Sequence, residues 1–133
     1  MSDSNPLQTQ IAGDHYKTKA IQPIEFSMAN KLDGCAHSIV KYVSRHPEKG
    51  GKADLEKAFH FVQLRETLAT EKHMVHDWVV GMDEYCHVNQ MGDLESSILR
   101  RLALWLESNS PLYPHLIKTD IRLLMLSCYP TEF

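Results

Sequence analysis

The sequence predicts an all-α fold, a small bundle of five or six helices. Three observations carry this. Apolar residues recur at helical spacing, most clearly Leu94, Ile98, Leu102, Trp105 and Leu106. No stretch sustains the alternation of a half-buried strand. The breaks between periodic segments carry helix punctuation, such as Pro47, Gly50-Gly51 and Gly92. A chain of 133 residues fits one domain and buries about two-thirds of the surface it exposes unfolded.

The elements follow in order. Residues 1–13 read as a loose arm. Residues 14–22 follow as an ordered loop with no periodicity. Pro23 suits the first turn of a helix, where its missing N–H costs little. Ile24, Met28 and Leu32 then recur every four residues, which predicts a helix ending near Gly34 with those three inward. Asp33 is placed to cap a second helix whose apolar face is Ile39, Val40 and Val43. His37, Lys41 and Arg45 form its opposite strip, and Pro47 ends it.

After the "EKGGK" turn, Asp54 is expected to begin a third helix reaching about Lys72, with Leu55, Phe59, Val62 and Leu68 inward. "MVHDWVVGMDEYC" predicts a fourth helix carrying Val75, Trp78, Val79 and Met82 on one face. Asp93 is expected to cap the Leu94–Leu106 helix. After the "SNSPLYP" loop, a last helix carries Leu116 or Ile117, Ile121, Leu124 and Cys128. The organisation expected is an arm (1–13), an N-terminal module built on a helical hairpin (14–70) and a C-terminal helical extension packed on it (71–133). Leu124, Met125 and Tyr129, with the Leu94–Leu106 helix, carry enough apolar surface to suggest a homo-oligomer.

Composition narrows the function. Net charge is −3, so bulk attraction to nucleic acid or an anionic membrane is not expected. No apolar run approaches the ~20 residues that span a bilayer. The three cysteines, Cys35, Cys86 and Cys128, form no C-x-x-C pair and read as free thiols. "MSDSNPLQTQ" has no signal-peptide core. The expectation is a cytoplasmic protein with no membrane partner and no nucleic-acid polymer as ligand. Charge is uneven, however. Cys35–Arg65 holds six basic and three acidic residues plus His37, His46 and His60, so any anion site belongs there.

Within that segment, Lys41 and Arg45 stand one helical turn apart, about 6 Å. Arg offers a planar fork of donors and Lys a point charge, so the two can hold one phosphate or two adjacent ones. Lys57 and His60 project one turn apart from the next helix. If the two helices pair as a hairpin, all four line one cleft. The simpler reading of such residues is a solvated polar face. A Walker loop, G-x-x-x-x-G-K followed by Ser or Thr, is absent.

A longer pattern bears on that choice. The residues His15-Tyr16, Pro23-Ile24, Asn30, Lys41-Tyr42, Arg45, Gly51, Asp54-Leu55 and Lys57-Ala58 stand in the order of a known pattern. It runs His-Tyr, Pro-Ile, Asn, Gly-Asn-x-x-Lys-Tyr-x-x-Arg, a Lys/Gly turn and Asp-Leu-x-Lys-Ala. Over roughly residues 14–65 the chain resembles a phage family long filed as of unknown function. One branch of that family is a nucleotide kinase lacking a P-loop. The resemblance implies phosphate contacts from Lys41 and Arg45, then His15 and Tyr16, the tyrosine being able to stack on a base. It adds Asn30, Ser38 and Tyr42 as base or secondary contacts. Asn30 reads equally as a helix cap, Tyr42 as core, and Asp54 as a cap rather than an acid. Two positions depart from the pattern: His37-Ser38 replaces Gly-Asn, and His46-Pro47 follows the Arg.

Other chemistry has less support. His73, His76, Asp77, Glu84 and His87, with His60 and Asp93 or Asp120, offer loose metal-ligand spacing, and the simpler reading is that His73, Asp77 and Glu84 are solvated and His76 is partly buried. No metal is therefore assigned. The favoured expectation is capture of a phosphorylated nucleotide without turnover and without a cofactor. Such a protein could act as a sponge for a host defence signal in the cytoplasm of an infected cell. The alternative implied by the resemblance is a nucleoside monophosphate kinase using ATP and Mg²⁺. A third reading is a protein–protein inhibitor using the acidic second half.

Overall fold

The computed structural model describes residues 19–69 and 73–132. Among them lie six α-helices: α1 (Pro23–Asn30), α2 (Gly34–Arg45), α3 (Gly51–Leu68), α4 (Met82–Val88), α5 (Asp93–Ser108) and α6 (Leu112–Cys128). A 3-10 turn, Pro130–Glu132, follows. No strand occurs among the described residues, and the chain forms an all-α bundle. No helix among them is long and apolar enough to cross a membrane. His15 and Tyr16 lie outside the described residues, as do the arm 1–13 and Lys72.

α1 starts as expected at Pro23, with Glu25 Oε1 accepting the Gln22 N–H at 3.3 Å. Its inward face differs from the expected one. Ile24 and Met28 are exposed, and Pro23, Phe26, Ser27 and Asn30 are buried. The deciding partners lie some fifty residues away. Phe26 packs on Tyr85 and Trp78, with ring centroids 4.6 and 6.1 Å apart. Lys31, in the left-handed region, ends the helix before Leu32 can join it.

α2 forms as the sequence reads. Asp33 Oδ1 accepts the Ala36 N–H at 2.8 Å, and Ile39, Val40 and Val43 are fully buried. The turn after Pro47 reverses the chain, and Gly51 takes φ +57°, a conformation that favours glycine. A Cβ on Gly50 would collide with the Asp54 carboxylate. α3 therefore begins at Gly51, and Asp54 sits one turn in, reaching back to accept the Gly50 N–H at 3.1 Å. The helix stops at Leu68, which is exposed, while Leu55 and Val62 point inward.

α2 and α3 form an antiparallel hairpin, and an ion pair closes each end. Arg45 meets Asp54 beside the turn, and Asp33 meets Arg65 at the open end, each at 2.9 Å. The Arg65 guanidinium also covers the Trp105 ring at 4.5 Å, which ties the hairpin to α5. α5 and α6 form a second hairpin, with α6 against α3. One core runs through all of these elements.

The predicted fourth helix is shorter than its apolar pattern. Residues 74–81 are irregular, and only Met82–Val88 is helical. Asn30 accounts for this. Its Oδ1 accepts the N–H groups of Val79 and Val80, and its Nδ2 donates to the Val80 carbonyl. Those backbone groups are withdrawn from any helix, and Val79 is left exposed. The cap of α5 is Gly92, with Asp93 its first residue. In α6, Ile117, Ile121, Leu124 and Met125 are buried, but Cys128 is exposed. Of the residues read as oligomer surface, Leu124 and Met125 lie in the chain's own core with Ile98, Leu102, Trp105 and Leu106 of α5, and Leu94 and Tyr129 are half-buried. The large apolar residues that α6 leaves exposed are Leu112, Leu123 and Leu126.

Candidate functional site

The α2–α3 hairpin presents one face on which Lys41, Tyr42 and Arg45 of α2 meet Lys57 and Phe61 of α3. Tyr42 is its centre. Three cationic groups lie against its ring: the Arg45 guanidinium at 4.8 Å, Lys41 Nζ at 5.0 Å and Lys57 Nζ at 5.4 Å from the centroid. Cation–π pairs of consequence occur about once per 70–80 residues, so three on one ring is a concentration. Phe61 continues the aromatic surface, 6.0 Å from Tyr42 with planes 20° apart. His60 meets the Phe61 ring edge-on at 6.1 Å.

The three cations differ in their commitments. Arg45 is forked onto Asp54, Nε to Oδ2 at 2.9 Å and Nη2 to Oδ1 at 3.1 Å. Asp54 is buried, so this pair holds the turn as well as the site. Lys41 and Lys57 have no ion pair among the described residues. Lys57 and His60 are exposed, and Lys41 and Tyr42 half-buried. The face therefore carries two uncompensated positive charges beside an accessible ring, which is chemistry suited to an anion bearing a flat group.

Of the other residues singled out from sequence, Ser38 is on the same helix one turn before Tyr42. Its hydroxyl donates to the Gly34 carbonyl at 2.9 Å. Asn30 stands apart, buried, with its side chain bonded to the backbone of residues 79–80. His37 is half-buried, its Nδ1 2.7 Å from the Ser27 hydroxyl. Burial, then the nearby Lys41 charge, lowers its pKa. Phe61 escaped attention as a site residue, although its place four after Lys57 was the available signal.

A second polar cluster was not anticipated. His46, 2% exposed, joins three elements, with Nε2 2.7 Å from Glu95 Oε2 and Nδ1 2.8 Å from the Tyr129 hydroxyl. Tyr129 also donates to the His46 carbonyl at 3.1 Å. The His46 hydrogen bond holds the Glu95 carboxyl below its ordinary pKa, against the opposing effect of burial. This cluster is closed within the chain. Among the described residues no three His, Cys, Asp or Glu side chains gather as a metal site. Asp120, one of the loose candidates, is instead bonded to Arg101 and Ser97.

The comparisons with known proteins bear on the first cluster. A family described as a protein of unknown function, DUF3310, matches residues 10–63. The chain is similar to that family over this segment alone. The segment holds α1, α2 and most of α3, and thus Lys41, Tyr42, Arg45, Lys57 and Phe61 together. Its description names no nucleotide and no kinase. No curated protein matches the chain. No solved structure matches it either.

Proposed function

We propose that the protein captures a phosphorylated nucleotide on the α2–α3 face and releases it unchanged. The observation that carries this reading is the placement of Lys41 and Lys57, without carboxylate partners among the described residues, around the Tyr42 ring. Lysines at this spacing neutralise phosphate charge, and an aromatic surface accepts a base by stacking. Arg45 adds a third positive group whose geometry Asp54 fixes. In an infected cell such a captor would lower the free concentration of a signalling nucleotide.

Binding without turnover is favoured over phosphoryl transfer by the state of Asp54. A kinase needs groups that position a metal–nucleotide complex and orient the attacking oxygen. Among the described residues, Asp54 is the carboxylate that pairs with a cation of this face, and it is buried, bonded to Arg45 and the Gly50 N–H. The test is incubation with mixed linear and cyclic nucleotides, ATP and Mg²⁺. A nucleotide returned intact after heat denaturation supports capture, and new diphosphates matched by ADP support the kinase instead. The homo-oligomer expectation now rests on Leu112, Leu123 and Leu126 of α6, and light scattering of the purified protein tests it.

A further inference from the structure

We infer that the cavity between the first turn of α2 and the second half of α3 takes the base and sugar of the nucleotide whose phosphates sit at Lys41 and Lys57. This rests on the function proposed above and adds where the ligand lies along the hairpin. The cavity measures about 520 Å³ and is walled by Gly34, Ser38, Phe61, Leu64, Arg65 and Leu68 among others. That volume falls within the roughly 300–1,000 Å³ of small-molecule sites.

Its position selects it. Phe61 is both a wall of the cavity and the stacking neighbour of Tyr42. Ser38 lines the cavity and precedes Tyr42 by four residues, a rise of about 6 Å. The phosphate-binding groups and the cavity therefore share an aromatic boundary on one continuous face. The other openings fit less well: two of about 550 and 370 Å³, beside Arg100 and beside Lys19, have no residue of the lysines' face in their lining. The one beside Lys41 and Ile24 is about 180 Å³, below the usual range. The one beside Trp78 and Leu104 lies on α4 and α5, away from the lysines' hairpin face.

The chemistry of the walls agrees. They are largely apolar with a few polar groups, the usual make-up of a ligand site. The Ser38 hydroxyl, having donated to Gly34, keeps acceptor capacity. Arg65 is buried and contributes to the wall with its guanidinium held by Asp33, which also lines the cavity, and by the Trp105 ring. Leu64, Arg65 and Leu68 fall beyond residue 63, outside the family segment. Lys41 and Lys57 thus lie inside the segment that matches the family, whereas these three residues lie outside it.

Isothermal titration with inorganic pyrophosphate and with the four ribonucleoside diphosphates tests the assignment. Leu68 is 61% exposed, so Leu68→Trp fills the cavity with little disturbance to the core, and Ser38→Phe fills it from the opposite wall. The expected result has two parts. At least one diphosphate binds the parent protein more tightly than pyrophosphate. Both variants then lose at least ten-fold in affinity for that diphosphate, with pyrophosphate affinity unchanged as the control for folding. Unchanged diphosphate affinity in both variants, alongside its loss in Lys57→Ala, would overturn the cavity assignment and leave the proposed function standing. Diphosphates binding no better than pyrophosphate would overturn it too. A parent protein that binds none of these probes would overturn this inference, and the capture test with linear and cyclic nucleotides then decides the proposed function separately.

Discussion

Two polar clusters flank the turn of the α2–α3 hairpin, and they are built on opposite terms. Around His46, each ring nitrogen has a partner inside the chain: Glu95 from α5 on one side and Tyr129 on the other. Around Tyr42, two of three cations have no carboxylate to answer them among the described residues. The first arrangement lowers the energy of the fold by joining three elements that are distant in sequence. The second gathers like charges, which an empty site does not need. Satisfied polar groups speak for architecture, and gathered, uncompensated ones for a ligand.

If that contrast holds, substitutions in the two clusters separate stability from binding. His46→Ala should have the largest effect, lowering the unfolding free energy by about 2–4 kcal/mol, because buried polar partners are left unpaired. Urea unfolding followed by circular dichroism reads this, and binding per folded molecule should not change. Asp54→Asn should come next, at about 1.5–3 kcal/mol, the range for hydrogen bonds to charged groups. It also frees Arg45 from the geometry that Asp54 fixes, so pyrophosphate affinity by titration should fall. Unchanged affinity would show that the Arg45–Asp54 pair serves the turn alone.

Acid should expose the same contrast. The folded pKa of Glu95 is lowered from 4.5, first by its hydrogen bond to His46. Its contribution is therefore present above about pH 4.5 and is lost as pH falls through the lower folded value. Melting temperature measured across that window should fall less steeply in Glu95→Gln than in the parent. The smallest effect on stability belongs to Lys57→Ala, within about 0.5 kcal/mol, the usual range for an exposed side chain away from special features. The same variant should nonetheless lose nucleotide affinity.

How much of this could be read beforehand depends on where each residue finds its partner. Ile39, Val40 and Val43 were legible because one helix's own periodicity carries them, and Asp33 because a cap is local. α1 misled because three aliphatic residues spaced by four outweighed Phe26, whose partners Tyr85 and Trp78 are far along the chain. The helix expected across residues 74–81 failed for a similar reason, since Asn30 engages its backbone from a distance. Spacing set Lys41 beside Arg45 and Lys57 beside His60, and the hairpin brings Lys41, Arg45 and Lys57 onto the Tyr42 ring while His60 meets Phe61 instead. The pairing of Arg45 with Asp54 could not, because it depends on Gly50 and Gly51 bringing the first turn of α3 under the end of α2. The His46 cluster spans 83 residues from His46 to Tyr129, and no local signal marks it.

The most direct test of the central claim is capture and release by the parent protein and the Lys41→Ala/Lys57→Ala double variant. Both are incubated with the same mixture of linear and cyclic nucleotides, washed, heat-denatured and analysed by mass spectrometry. Circular dichroism confirms that both start folded. The account expects one nucleotide released intact from the parent and at least ten-fold less from the double variant. Equal release from the two proteins, or none from the parent, would contradict it.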